Sequence, residues 1–266
     1  MMSTARNVLV TGGAGRIGAA ITRAFAALGD RVVMTDRNEV GLAATLASVE
    51  QGKEAVTTLA ADITDEQAIE GLVASAIETL GQIDILVNCA GIFPNSPVVA
   101  MDTTEWDMVF NVNLRAPFLL SRTVARQMLA RGVRGSLVNI SSGAGSSART
   151  GGSHYCGSKA ALEMLTQVMA IELGPEGIRV NAVAPGLIMD EVLQSPVPEG
   201  TSPYVATLLN GIPLRRTGRP EDIADAVVFL CSEQATWITG TILGVHGGSQ
   251  AGRTHLPPSA PAKPAQ

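Results

Sequence analysis

The chain is short of aromatic residues: phenylalanine, tryptophan and tyrosine make up 3% of its 266 residues, and tyrosine occurs twice. Its apolar mass is therefore small and aliphatic. Cysteine is also scarce. Three cysteines without a Cys-x-x-Cys pair exclude a disulfide framework, and no metal site is read from the sequence. Charged residues amount to 16%, with a formal net charge of −5. The basic excess that a phosphate backbone demands is missing, which excludes nucleic acid as the main partner. No apolar run approaches the roughly 18 residues of a membrane-spanning helix. The opening stretch, MMSTARNVLVTGG, holds no apolar run of signal-peptide length before glycines interrupt it. These absences together lead to the expectation of a cytoplasmic chain with no membrane partner.

What is present is a chain that is 46% hydrophobic, long enough for one large α/β domain, and rich in glycine, with 28 of them. Short aliphatic runs alternate with helical periodicity. Strands are expected at Asn7–Val10, Arg31–Thr35, Ala55–Ala60, Ile83–Val87, Ser136–Ile140, Ile178–Val183 and Thr241–Val245. Between them, helices are expected after the first glycines up to Gly29, from the second strand to about Glu50, along the Ile69–Leu80 face, over about Thr104–Ala130 and Ser153–Leu173, and from Pro220 to about Cys231. Thr64 and Gln67 stand at capping-box spacing. Asp190–Arg219 reads as a proline-punctuated connection with short helices. The fourth strand has no polar alternation, as expected when both its faces are covered. Strand–helix alternation predicts a doubly wound, seven-stranded, mostly parallel sheet with helices on both faces. It forms a single domain over residues 1–250, followed by a Pro/Ala-rich tail at 251–266.

TGGAGRIG (Thr11–Gly18) follows a strand and opens a helix. Glycines let the backbone turn tightly and approach a pyrophosphate, and the helix N-terminus offers unpaired N–H groups. A structural glycine turn is the plain alternative. Asp36 tips the balance: it lies 18 residues beyond Gly18 at a strand end, where a carboxylate can accept ribose hydroxyls. A carboxylate there opposes a 2′-phosphate, which favours NAD over NADP, although Arg16 and Arg37 could favour the phosphate.

Tyr155 and Lys159 are four apart on an expected helix and so share a face. A phenol ordinarily ionises near pH ~10; a neighbouring ammonium lowers that and fits the phenol for acid–base work. Ser142 lies 13 residues earlier, just past the end of a strand, where parallel sheets bind ligands.

With TGGAGRIG in place, NCAG (Asn88–Gly91), NVNL (Asn111–Leu114), ISS (Ile140–Ser142), YCGSK (Tyr155–Lys159), NAVAPG (Asn181–Gly186) and ITG…GG (Ile238–Gly240, Gly247, Gly248) follow in order. Over about residues 5–250 the chain resembles the short-chain dehydrogenase/reductase family, in its shorter, single-domain branch. The resemblance implies a Rossmann-type fold and hydride transfer between a nicotinamide cofactor and an alcohol or ketone. It implies that Tyr155 transfers the proton, that Ser142 holds the substrate oxygen, and that Lys159 binds the nicotinamide ribose and depresses the Tyr155 pKa. Asn113 would hold a relay water through its main-chain carbonyl. The cofactor would lie on Gly12, Gly15, Arg16, Ile17, Gly18, Asp36, Arg37, Asp62, Ile63, Asn88, Ala90, Gly91, Pro185, Gly186 and Ile188, together with Tyr155 and Lys159. A homotetramer paired through the two long helices is implied as well. Pro117 has no N–H to give the Asn113 carbonyl four residues earlier, which would free that oxygen for the relay.

Three positions depart from the family pattern. Arg16 stands where shorter members usually carry glycine, Asp190 where a threonine often binds the nicotinamide amide, and His246 where aspartate is common. His246 is read as structural, His154 as a possible rim of the substrate mouth, and Cys89, Cys156 and Cys231 as buried small residues. The rival functions are an NADPH-linked 3-oxoacyl-thioester reductase, a non-catalytic nucleotide binder and, from the glycine spacing alone, an epimerase or dehydratase. Substrate determinants are expected in Phe93–Val98, Gly143–Gly152 and Leu187–Leu214.

Overall fold

The computed structural model describes residues 5–252; most of the expected 251–266 tail lies outside the described residues. Seven strands are joined by helices: β1 (Asn7–Thr11), α1 (Arg16–Ala27), β2 (Arg31–Asp36), α2 (Glu39–Ala47), β3 (Val56–Ala60), α3 (Glu66–Leu80), β4 (Ile85–Asn88), α4 (Thr103–Phe110), α5 (Ala116–Arg131), β5 (Ser136–Ile140), α6 (Ser153–Leu173), β6 (Arg179–Pro185), α7 (Pro203–Asn210), α8 (Pro220–Leu230) and β7 (Ile242–Val245). The sheet order is β3-β2-β1-β4-β5-β6-β7, and every pairing is parallel. The chain reverses its direction of winding between β1 and β4, which opens a crevice at their carboxyl ends.

The central strands serve two cores. Val8 and Val10 of β1 face one side, with Ile21 and Phe25 of α1 and Val227 and Leu230 of α8. Leu9, between them, faces the other side, with Leu72 of α3, Leu120 and Val124 of α5 and Met169 of α6. All three β1 side chains are fully buried, so no face is left to polar residues and the run is uninterruptedly aliphatic.

Except for β5, the strands shift at their ends by one or two residues, and the helices differ from the sequence expectation in three places. The cap of α3 is Asp65, whose side chain accepts the Gln67 N–H at 2.9 Å, rather than Thr64. Thr64 is instead engaged by Asp62, through its N–H at 2.9 Å and its hydroxyl at 2.8 Å. The helix after β2 stops at Ala47, before Glu50. The expected single helix over Thr104–Ala130 is α4 and α5 joined by a π-helical turn at Asn111–Arg115, in which the Ala116 N–H reaches back to the Asn111 carbonyl. A π turn widens the helix by one residue and is often found at functional sites. The long connection after β6 holds α7, as expected, and is tied back by bridges between Ile188 and Gly218 and between Gln194 and Arg216.

Candidate active site

The crevice holds a cavity of 930 Å³. Its floor is the glycine turn. Gly12 has φ +71°, and a Cβ there would lie 2.8 Å from the Ala90 backbone. Thr11 locks the same approach, because its buried hydroxyl accepts the N–H groups of Cys89 (3.1 Å) and Ala90 (3.2 Å). A Cβ on Gly18 would strike the Gly12 carbonyl. The first turn of α1 carries no acidic residue and no side-chain cap, so its amide donors are left for an anionic ligand. Asp36 sits at the end of β2, its carboxylate held by the N–H groups of Ala14 (3.3 Å) and Asn38 (3.0 Å).

Gly12, Gly15, Arg16, Ile17, Gly18, Asp36, Arg37, Asp62, Ile63, Ala90, Gly91 and Ile188 all line this cavity. Hydrogen bonds from Thr64 hold the Asp62 carboxyl below the usual range. Pro185 and Gly186 lie at the end of β6, where a Gly186 Cβ would meet the His246 backbone at 2.8 Å. Asn88 is placed differently. It is buried under the sheet, its amide donating to Ser121 Oγ (2.9 Å) and Asn139 Oδ1 (2.9 Å), and it does not line the cavity. Its side chain ties β4 to α5 and β5. This cradle, glycines that admit no Cβ plus a fixed carboxylate, fits a dinucleotide.

The four catalytic candidates converge beside it. Ser142 follows β5 in extended conformation, its Oγ accepting the Ala144 N–H at 3.1 Å, and its hydroxyl favours ionisation of the Tyr155 phenol. Asn113 is fully buried in the π turn. Its Oδ1 accepts the Ile92 N–H (2.9 Å), and its Nδ2 donates to the Ile92 carbonyl (2.8 Å) and to Ser158 Oγ (3.3 Å). Ser158 in turn donates to the Tyr155 carbonyl at 2.8 Å. Asn113 therefore links the loop after β4 to the first turns of α6.

Lys159 is buried and donates to the Ile140 carbonyl at 2.8 Å, with Nζ 5.9 Å from the Tyr155 ring centroid. Burial pushes its ammonium down to about 8. The depression of the Tyr155 phenol by Lys159 is expected together with a cationic nicotinamide; in the protein alone burial dominates. It holds the phenol above its ordinary value; the Ser142 hydroxyl and then the Arg149 charge pull against that.

Arg149 falls within the Gly143–Gly152 stretch expected to hold substrate determinants, but the sequence did not single it out. Its guanidinium lies 4.6 Å from the Tyr155 ring centroid, while Phe93 meets the ring edge-on at 6.2 Å. Spacing along one element could not reveal it, since Arg149 reaches Tyr155 through a loop turn. His154, singled out in the sequence, is placed differently. It does not rim the substrate mouth but is fully buried. Its Nδ1 accepts the Tyr155 N–H at 2.8 Å, which leaves the ring proton on Nε2, 3.1 Å from Glu105 Oε1 of α4. The pair pins the start of α6 to α4.

Two of the departures in sequence are neighbours in space: Arg16 and Asp190 form an exposed ion pair at 3.5 Å. His246 packs against Gly244, its Nδ1 buried and without a partner among the described residues. Burial pushes the Cys89 thiol up to about 12 and the Cys231 thiol to about 11, so neither is a reactive thiolate. Cys231 is buried as expected, while Cys89 and Cys156 are half-buried.

Residues 12–250 match the family model described as enoyl-(acyl carrier protein) reductase. The human L-xylulose reductase is 39% identical over 91% of this chain and 96% of its own length. The 3-oxoacyl-[acyl-carrier-protein] reductase of Thermotoga maritima is 36% identical over 90% of this chain and 96% of its own. A solved short-chain type dehydrogenase/reductase from Mycobacterium marinum superposes with a TM-score of 0.84 at 30% identity, covering 94% of this chain and 97% of that one. With the glycine turn, the serine, the tyrosine and the lysine set around one crevice, and with relatives matched along nearly their whole length, the chain belongs to the short-chain dehydrogenase/reductase family.

Proposed function

We propose that the protein interconverts an alcohol and a carbonyl compound with NAD(H), Tyr155 acting as the general acid or base. The observation that carries this reading is Tyr155 with the buried Lys159 ammonium 5.9 Å from its ring centroid, beside a glycine-floored dinucleotide cavity. The bound nicotinamide supplies the hydride chemistry. Tyr155 moves the proton at its phenolic oxygen. Ser142 Oγ holds the substrate oxygen and steadies charge developing there. Lys159 binds the nicotinamide ribose and, with its ammonium beside the ring, opposes the effect of burial once a cofactor completes the site. Asn113 keeps α6 in register with the loop after β4 and offers its carbonyl to the relay. Relatives named L-xylulose reductase and galactitol 2-dehydrogenase support the alcohol–carbonyl class.

NAD is the proposed cofactor because the Asp36 carboxylate is held in place by two backbone N–H groups and would repel a 2′-phosphate. Of the two arginines that could favour NADP, Arg16 is turned onto Asp190. A thermal-shift titration checks this, with NAD⁺ expected to stabilise the protein more than NADP⁺; the opposite order overturns the assignment. For the mechanism, Tyr155→Phe should lower kcat by at least ~100-fold while the NAD⁺ thermal shift persists. Full activity in that variant would refute the role of Tyr155.

A further inference from the structure

Among the described residues, fifteen arginines fall into two groups, with one exception. Most are held by acceptors of the protein: Arg6, Arg16, Arg23, Arg115, Arg122 and Arg216 pair with carboxylates, and Arg31, Arg131 and Arg179 donate to backbone carbonyls. The rest point into solvent on exposed positions. Arg149 is the exception. It is half-buried, its Nε is buried without a partner, and it forms no ion pair with any described residue.

Its position is built rather than incidental. The Gly152 N–H donates to the Arg149 carbonyl at 3.2 Å, closing a turn that Gly151 makes with φ +72°. The arginine side chain folds back across Gly152; a Cβ there would lie 2.8 Å from Arg149 Cγ and 2.9 Å from Nε. The glycine therefore leaves the space that lets the guanidinium lie over the Tyr155 ring at 4.6 Å from its centroid. The ring face satisfies the cation's charge in part, but it accepts none of the guanidinium's planar fork of N–H donors. The ligand that complements such a fork is a carboxylate, taken in bidentate fashion.

We propose that Arg149 is the anchor for the substrate's own anion, and that the substrates are short hydroxy or oxo acids whose carboxylate lies near the reacting carbon. This rests on the reading of Tyr155 as the group that meets the substrate oxygen. A carboxylate on Arg149 then places the reacting carbon against Tyr155 and Ser142. A neutral polyol would leave the half-buried cation without a counter-charge.

The test compares short-chain 2- and 3-hydroxy acids with their neutral methyl esters, using the intact protein with NAD⁺. In the wild type, kcat/KM for the best acid should exceed that for its ester by at least ~10-fold, the usual scale for one charge-assisted pair. Arg149→Met should collapse this acid-to-ester ratio towards one, and Arg149→Lys should restore part of it. Gly152→Ala, which displaces the arginine without removing it, should lower the ratio as well. The ratio is the decisive quantity, because Arg149 also acts on the Tyr155 phenol. An effect confined to that ionisation would change both substrates by one factor and leave the ratio where it was. An unchanged ratio in Arg149→Met, or esters and neutral polyols turned over as well as acids by the wild type, overturns the anion anchor and leaves the oxidoreductase reading intact. Tight NAD⁺ binding with no turnover of any acid, ester or polyol overturns that reading itself, and the anchor with it.

Discussion

Lys159 shows at the scale of one residue how the site strains against the fold. An ammonium of ordinary pKa is placed at a fully enclosed position, with the Ile140 carbonyl as its hydrogen-bond partner, and burial brings it down to about 8. In the unfolded chain it returns to ~10.4. Below pH ~8 the lysine is protonated in both states, and the full cost of burying its charge is present. Between ~8 and ~10.4 the native state has shed the proton and the unfolded state has not, so stability rises with pH across that window. Relative to Lys159→Met, the wild-type protein should therefore gain up to ~3 kcal/mol in urea unfolding between pH 7 and pH 10.5. Parallel curves for the two proteins would show that the lysine carries no such cost. The lysine itself was legible in the sequence, because its partner Tyr155 lies one helical turn away, and so was Ser142, at the end of a strand. Arg149 and the His154–Glu105 pair were not, since they meet their partners across a loop and between two helices, where no spacing along one element reports contact.

At the scale of the element, the turn at Asn111–Arg115 decides how Asn113 is presented. Hydrophobic periodicity runs through Thr104–Ala130 without a break, so the sequence reads as one helix. A single π turn changes hydrogen-bond partners without breaking the apolar stripe, and for that reason it leaves little trace in composition. Its one legible sign was Pro117, which is buried in α5 and has no N–H for the Asn113 carbonyl. Pro117→Ala would supply that donor and favour ordinary α-helical bonding through the segment. The Asn113 carbonyl would then be engaged, and the side-chain bonds to Ile92 and Ser158 would shift. The expected result is an unchanged or higher melting temperature with kcat lower by about 10-fold and an altered pH profile, a fraction of what acid–base catalysis contributes. Equal turnover and an identical pH profile would reduce Pro117 to a packing residue. The α3 cap teaches a related lesson. Thr64 and Gln67 had capping-box spacing, but Asp62 takes up Thr64 from the cofactor side, and Asp65 caps in its place.

At the scale of the whole molecule, the doubly wound sheet was legible because strands buried on both faces must be continuously aliphatic. What such patterning does not separate is a surface meant for water from one meant for another subunit. On α6, Tyr155, Lys159, Leu162 and Thr166 follow one another on the inward face, and the last three are buried. The opposite face presents Met164, Val168 and Ile171 at 60%, 41% and 78% exposure, spaced four and three residues apart along one stripe. Beside it α5 exposes Phe118 and Leu129. A stripe of this kind, repeated on two adjacent helices, suits a self-complementary contact about a two-fold axis. We infer that these helices pair between subunits. A second apolar patch at Phe229 and the fully exposed Trp237 offers the other contact that a tetramer with two-fold axes requires. Light scattering of the wild-type protein should give the mass of four chains. Val168→Glu with Ile171→Glu places two carboxylates in the α5–α6 contact and should reduce the particle to two chains or one. The helix that carries Tyr155 and Lys159 would lose its support in the same step, so kcat should fall with the mass, and the melting temperature should depend less on protein concentration, or not at all if single chains result. A wild-type protein that runs as a single chain, or a double variant that remains a tetramer, would show that the stripe on α6 is not an interface.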